Sequence, residues 1–304
     1  MKYLITGGTG LIGQALMEHL LLQNSIITVL TRDTKKAETF FNNNNNNNNK
    51  INLIDTLSIN DVENCDVIIN LAGEAIAGRR WSQSQKNEIC KSRWGITLQL
   101  KNLIKQAKVP PHLFISGSAI GIYGRQSDQV IDEEYSNFNQ EFTHDVCSKW
   151  EAIALSASSE KTRVAVLRTG IVLAKYGGAL RKMYLPFKLG LGGKMGNGDQ
   201  IMSWIHIEDM VLAILHITKN EQLEGAINLT APYALSNKTF SLALSSQLKR
   251  PCLFTTPQWL LKILLGEMSD LLLFGQNVVP NKLLSSGFSF RYPKINAAFK
   301  HLLK

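Results

Sequence analysis

Residues 3–13 read Tyr-Leu-Ile-Thr-Gly-Gly-Thr-Gly-Leu-Ile-Gly. A short apolar run, Tyr3 to Ile5, leads into a turn that carries Gly7, Gly10 and Gly13. An apolar helix-forming stretch, Leu11–Leu22, follows it. Strand, glycine turn and helix in that order suit a dinucleotide diphosphate. Glycine reaches positive φ and lets a ligand come close to the main chain. The first N–H groups of the helix and its positive end then face the anion. The spacing is GxxGxxG, whereas the commoner fingerprint is GxGxxG. A tight structural turn is the plainer alternative, but a place between the first strand and a helix favours a nucleotide site.

Working outward, apolar β-rich runs alternate with helical patterns through the first 170 residues. Strands are expected at Tyr3–Thr6, Ile26–Leu30, Ile51–Ile54, Val67–Leu71, Leu113–Ser116 and Val164–Arg168. Helices are expected at Leu11–Leu22, Gln83–Gln106 and Phe142–Ala157. This alternation predicts an α/β fold, a doubly wound parallel sheet of Rossmann type covered on both faces. Asn42–Asn49 is a run of eight asparagines, expected as a mobile surface loop between the second and third strands. Past residue 170 the pattern turns glycine-rich. The expected division is a nucleotide-binding domain over 1–170 and a smaller C-terminal α+β substrate lobe over 171–304, with interweaving of the two allowed.

The chain has 304 residues, 44% of them hydrophobic, enough for a large core. No apolar run approaches the ~18 residues of a membrane span. The opening Met1–Thr6 lacks a small-residue cleavage site and reads as a strand rather than a signal peptide. Four separated cysteines without a CxxC pair fit a reduced, cytoplasmic setting rather than a disulfide framework. Net charge is +9, but the cations are scattered, with no basic stripe interleaved with aromatics. Nucleic-acid binding is therefore not expected, and an anionic small molecule suits the positive field. Nothing resembles HExxH or another metal-ligand spacing, so no metal is expected.

Arg32 follows the second strand directly. An acidic residue there binds a ribose 2′-hydroxyl, and an Arg accommodates a 2′-phosphate. Asp33 comes next, so the signal is mixed, and NADP is expected ahead of NAD. At the end of the fourth strand, Ala72 and Gly73 in Asn70–Glu74 leave room for a cofactor beside the backbone. Ser118 ends the fifth strand, where a hydroxyl meets a substrate carbonyl or hydroxyl; a turn or cap serine is the alternative.

The ordered set TGGTGLIG (6–13), NLAGE (70–74), AGRRW (77–81), SGSAIGIYG (116–124), RTGIVL (168–173), SWIHIEDM (203–210) and GFSFRYP (287–293) resembles an atypical, extended short-chain dehydrogenase/reductase. It is similar in particular to the bacterial epimerase family proteins, also labelled nucleoside-diphosphate-sugar-epimerase-like or cell-division-inhibitor homologues. The resemblance covers essentially the whole chain. It implies NADP-dependent epimerase or oxidoreductase chemistry on a small polar substrate, sugar nucleotides included. Thr9, Gly10, Leu11 and Ile12 would hold the diphosphate, Arg32 the 2′-phosphate, and Leu71, Ala72 and Gly73 the middle of the cofactor. Ser118 would be the catalytic serine, and Arg93 would reach the cofactor or pair on the surface. One departure stands out. The helix after the fifth strand reads His144-Asp145-Val146-Cys147-Ser148-Lys149-Trp150-Glu151, with Cys147 and Glu151 where YxxxK is usual. Cys147, Lys149, Glu151 and Tyr123 all stay open as the missing acid, against a plain buried cysteine. Tyr184–Lys188 is the lone YxxxK and contains Pro186, which makes it a coincidence. The competing function is an NADP-binding regulator or partner-binding protein with little turnover, as monomer or homodimer without membrane contact.

Two further groups are candidates. Arg79, Arg80 and Trp81 after the fourth strand read by default as a solvated basic loop, and otherwise as a clamp for an anionic substrate. His206, with Asp209 nearby, reads first as a core histidine, and as a base only if it titrates near neutrality.

Overall fold

Strand β1 (Lys2–Thr6) is a continuous apolar run because neither of its faces meets water. Tyr3 and Ile5 pack into one core, and Leu4 into a second on the opposite face. Five more strands stand where the sequence puts them, with small shifts at their ends: β2 (Ile26–Leu30), β3 (Ile51–Ile54), β4 (Val67–Asn70), β5 (Leu113–Ala119) and β6 (Arg163–Thr169). Strand β7 (Gly225–Leu229) completes a sheet in the order β7-β6-β5-β4-β1-β2-β3. Every pairing in it is parallel. This is a doubly wound α/β sheet of Rossmann type. The computed structural model describes residues 1–44 and 51–304.

Helices Leu11–Leu22 and Ile207–Lys219 cover one face, and helices Gln83–Gln106 and Phe142–Leu155 cover the other. Leu16, Met17 and Leu20 share the first core with Met210, Ile214 and Ile217. Leu100, Ile104 and Ala154 share the second with Phe114 and Val166. A third core, built around Leu180, Trp204, Phe240 and Phe299, holds the segments after β6 together. The strand order reverses between β1 and β4. A crevice opens there beyond their carboxyl ends, which is where such sheets take their ligands.

Strand β7 was not expected from sequence. Its five residues, GAINL, begin with a glycine at φ +67° and lie beyond a glycine-rich stretch that blurs the strand–helix alternation. The asparagine run also needs correction. Asn42–Asn44 close the helix Thr34–Asn44, which is anchored by buried Ala37 and Phe41 and started by Asp33. A helix nucleated by packing runs on through residues of poor propensity. The rest of the run lies outside the described residues.

Candidate functional site

The turn after β1 is shaped by its glycines. Gly7 sits at φ +73°, and a Cβ on it would lie 2.6 Å from the Leu71 carbonyl carbon and oxygen. A Cβ on Gly13 would lie 2.3 Å from the Gly7 oxygen and 2.7 Å from Gly8 Cα. These two glycines clamp the helix start against the turn and the turn against the chain leaving β4. Gly10 differs, because it is exposed and its Cβ would meet only the Gly7 oxygen, at 3.2 Å. Gly10 is the N-cap of helix Leu11–Leu22, with no capping side chain and no acidic residue in the first turn. Thr9 is exposed, and Leu11 and Ile12 are half-buried at the same end. The first N–H groups of a helix lack intrahelical partners, so this end is an anion seat by construction.

At the end of β2 the mixed Arg32–Asp33 signal separates into two roles. Asp33 accepts the Lys36 N–H at 2.9 Å and starts helix Thr34–Asn44. Arg32 is exposed at the strand end and has no hydrogen-bond or ion-pair partner among the described residues. At the end of β4 the Leu71 N–H donates to the Thr6 carbonyl, and the Ala72 N–H to Thr6 Oγ1 at 3.3 Å. Gly73 is exposed, and a Cβ there would stand 3.1 Å from the Arg93 guanidinium carbon. That guanidinium lies 5.3 Å from the Trp150 ring centroid and donates to the Ile89 carbonyl. Burial lowers its pKa, with Cys147, Cys90 and Glu74 opposing that.

Ser118, Cys147 and Glu151 come together. Parallel register sets Ser118 of β5 opposite Arg168 of β6. Cys147 and Glu151 are four residues apart on helix Phe142–Leu155, hence on one face, and both are buried. Gly117 permits the approach, because a Cβ there would meet the Trp150 ring at 2.9 Å. Ser118 Oγ donates to Glu151 Oε1 at 2.6 Å. Arg168 grips the same carboxylate with two bonds, Nε to Oε1 at 3.0 Å and Nη2 to Oε2 at 2.9 Å. Its Nη1 donates to the Tyr123 hydroxyl at 3.0 Å, which in turn donates to Asn228 Oδ1 on β7 at 2.7 Å. Burial works against the Arg168 charge, but the Glu151 carboxylate and Tyr123 oxygen outweigh it and raise its pKa. Burial raises the Tyr123 phenol despite Arg168. Burial, then Glu151, push the Cys147 thiol up to about 12, although Arg93, the Ala119 amide and the Ser118 hydroxyl pull the other way.

Two members of this cluster, Arg168 and Asn228, were missed as site residues. A lone arginine inside the buried run Val164–Thr169 was the available signal for the first. The second sits on the strand that the sequence hid. Lys149 is exposed and lies over the Trp94 ring, away from Ser118. Tyr184 and Lys188 pair on a different helix, Gly178–Lys188, which tolerates Pro186. His206 is no base near neutrality. It is wholly buried, stacks on Tyr292 at 3.9 Å and contacts His301, and burial, then His301, lower its pKa to about 3. Asp209 binds the backbone amides of Arg291 and Tyr292. Arg79 is exposed, Arg80 packs on Gly266, and Trp81 packs edge-on to Phe142. Among the described residues, no group of three or more His, Cys, Asp or Glu is placed to hold a metal, and no helix is long and apolar enough to cross a membrane.

Residues 3–229 match the NAD dependent epimerase/dehydratase family, and residues 256–302 match a domain of unknown function, DUF1731. The chain belongs to the NAD dependent epimerase/dehydratase family. It is 36% identical over 305 residues to the epimerase family protein SH2119 of Staphylococcus haemolyticus, covering 99% of each. Among solved structures it is similar to the human epimerase family protein SDR39U1 (isoform 2) with NADPH, at a TM-score of 0.86 and 29% identity over 99% of each chain. It is similar also to a nucleoside-diphosphate sugar epimerase from Corynebacterium glutamicum, at a TM-score of 0.79 and 29% identity. That match takes in all of this chain but 58% of that longer one.

Proposed function

We propose that the protein binds NADP(H) across the carboxyl ends of β1, β2 and β4 and transfers a hydride to or from a small polar substrate, as an epimerase or oxidoreductase. The observation that carries the reading is the uncapped helix start at Gly10, set by Gly7 and Gly13 at the point where strand order reverses. Thr9, Gly10, Leu11 and Ile12 would take the diphosphate and Arg32 the 2′-phosphate. Leu71, Ala72, Gly73 and Arg93 would take the middle of the cofactor. NADPH in the human relative supports the preference for NADP over NAD. Residues after 170, with exposed Arg79 nearby in sequence to Gly73, would face an anionic substrate such as a sugar nucleotide.

When bound, the nicotinamide would supply or accept the hydride, and the chain's own residues must handle the proton. Ser118 already gives its hydrogen to Glu151, so toward a substrate hydroxyl it would act as an acceptor. In the oxidising direction a substrate hydroxyl gives its proton to Ser118 Oγ as the Ser118 proton passes to Glu151. Accepting the hydride from the alcohol carbon would be the chemistry the nicotinamide supplies, so the substrate's proton and hydride would each have a destination. Arg168 keeps Glu151 aimed. Cys147 serves as a neutral wall, because a thiol at about 12 is protonated at pH 7.

The test is fluorescence titration with NADPH and NADH, followed by single-turnover mixing with candidate sugar nucleotides. Tight NADPH binding with hydride transfer, weakened at least a hundredfold in Ser118→Ala, is the expected result. Failure to bind either nucleotide would sink the reading. The second reading, an NADP-binding protein without turnover, is favoured by the closure of the Ser118–Glu151–Arg168 cluster. Tight binding with no oxidation of NADPH by any substrate would establish it.

A further inference from the structure

Two stretches of the C-terminal part, residues 175–198 and 237–265, carry nine Lys and Arg and not one Asp or Glu. The fold packs them together. Gly193–Met195 pairs with Phe254–Thr256, Arg250 Nε donates to the Lys188 carbonyl at 2.8 Å, and Ser241 Oγ donates to the Gly193 carbonyl. The same 53 residues hold ten of the 21 large hydrophobic side chains exposed among the described residues. Leu189 (64%), Leu191 (60%), Leu253 (82%), Trp259 (61%) and Ile263 (63%) are the most informative. Helix Gln258–Leu265 buries only Leu261, while Trp259, Lys262, Ile263 and Leu264 are exposed.

We propose that this face docks on an anionic lipid surface, with helix Gln258–Leu265 lying in the interface and the surrounding lysines on the headgroups. An apolar helix face rimmed by cations, with a tryptophan on it, is the composition that interfacial binding requires. The charge decides the occupant. The cations of these two stretches, with no carboxylate between them in either stretch, disfavour a second copy of the same surface, and each one near an anionic leaflet strengthens binding about fivefold. The concavity here, about 140 Å³ and lined by Lys194, Lys238, Leu253 and Phe254 among others, is small against the few hundred Å³ of a typical ligand pocket. A broad surface therefore fits better than a bound metabolite. This docking is distinct from spanning and revises the expectation of no membrane contact. It stands independently of the nucleotide reading.

The full chain is sedimented with phosphatidylcholine vesicles containing about a third phosphatidylglycerol, and with pure phosphatidylcholine vesicles, at low and high salt. Expected is binding to the anionic vesicles alone, weakened at least tenfold by high salt. A blue shift of tryptophan emission on binding is also expected, absent in Trp259→Ser, since Trp259 is the one strongly exposed tryptophan among the five. Trp259→Ser/Ile263→Ser lowers binding at least tenfold with an unchanged melting temperature. Lys194→Glu/Lys238→Glu lowers it too, separately from the apolar contribution. Equal binding to both vesicle types, no binding at low salt, or a dimer that buries Trp259 and ignores vesicles would overturn the proposal.

Discussion

The two ends of the candidate site are built in opposite ways. At the glycine turn, main-chain donors are left open and an exposed cation, Arg32, stands at the neighbouring strand end. At Ser118 every polar group already has a partner inside the protein: Ser118 with Glu151, Glu151 with Arg168, and Arg168 with Tyr123. An open end binds whatever brings the missing acceptors. A closed end holds its geometry and exchanges protons only through groups that are already bonded. The comparison teaches that unsatisfied main-chain donors and a closed side-chain network stand at different places in the candidate site.

The sharpest way to break the closed end is Arg168→Met. It leaves the buried Glu151 carboxylate without its fork, a loss on the order of 3–5 kcal/mol in unfolding free energy, read from chemical denaturation. The double variant Arg168→Met/Glu151→Met removes both charges and should recover most of that stability, while hydride transfer stays lost. If the double variant is as unstable as the single, the pair is not the unit that holds Ser118.

At the open end the glycines divide the same way. Gly13→Ala drives a Cβ into the backbone of Gly7 and Gly8 and should cost about 3 kcal/mol. Gly10→Val adds its side chain on the exposed side, so it should leave the melting temperature nearly unchanged and weaken NADPH at least tenfold. Calorimetry and nucleotide titration on both variants separate a glycine needed by the fold from one needed by the ligand.

Much of this was legible beforehand. Six of seven sheet strands and the helices Leu11–Leu22, Gln83–Gln106 and Phe142–Leu155 follow from apolar runs bounded by turn residues, because parallel strands buried on both faces cannot hide their composition, whereas Thr34–Asn44 and Ile207–Lys219 were not expected. The resemblance put Cys147 and Glu151 where YxxxK is usual and left Lys149 and Tyr123 open beside them; the fold brings Ser118, Cys147 and Glu151 together and leaves Lys149 exposed. Arg168 was not, because its partner lies 17 residues away on a helix and only the sheet register brings them together. Gly225–Leu229 escaped because five residues of GAINL are too short to show a period. His206 reads as a core histidine before it reads as a base, and its zero exposure and Tyr292 neighbour agree with that, although sequence shows neither.

That histidine supplies a smaller test of closure. Its folded pKa of about 3 lies below the ordinary 6.5. The unfolded chain therefore binds the extra proton, and stability contributed by neutral His206 is full above pH 6.5 and lost as pH falls towards 3. At pH 5 the loss is about 2 kcal/mol. His301, Glu208, Asp209 and Arg291 also surround the site, so the informative quantity is the difference from His206→Asn, which retains an N-cap for the following helix. The variant should show a flatter acid limb in thermal melts between pH 6.5 and 5. Parallel limbs would remove His206 from the account.

Arg32→Glu asks the least of the fold and the most of the nucleotide reading. Arg32 is exposed and has no hydrogen-bond or ion-pair partner among the described residues, so melting should not change. A guanidinium at this strand end favours a 2′-phosphate, whereas a carboxylate repels it and accepts the two ribose hydroxyls instead. The ratio of NADPH to NADH affinity should therefore fall at least tenfold, or about 1.4 kcal/mol, and invert. Because Asp33 is occupied in starting helix Thr34–Asn44, it cannot take over as the ribose acceptor without uncapping that helix. An unchanged ratio would mean that the open end reads only the diphosphate, and that selectivity between the two nucleotides is set elsewhere in the crevice.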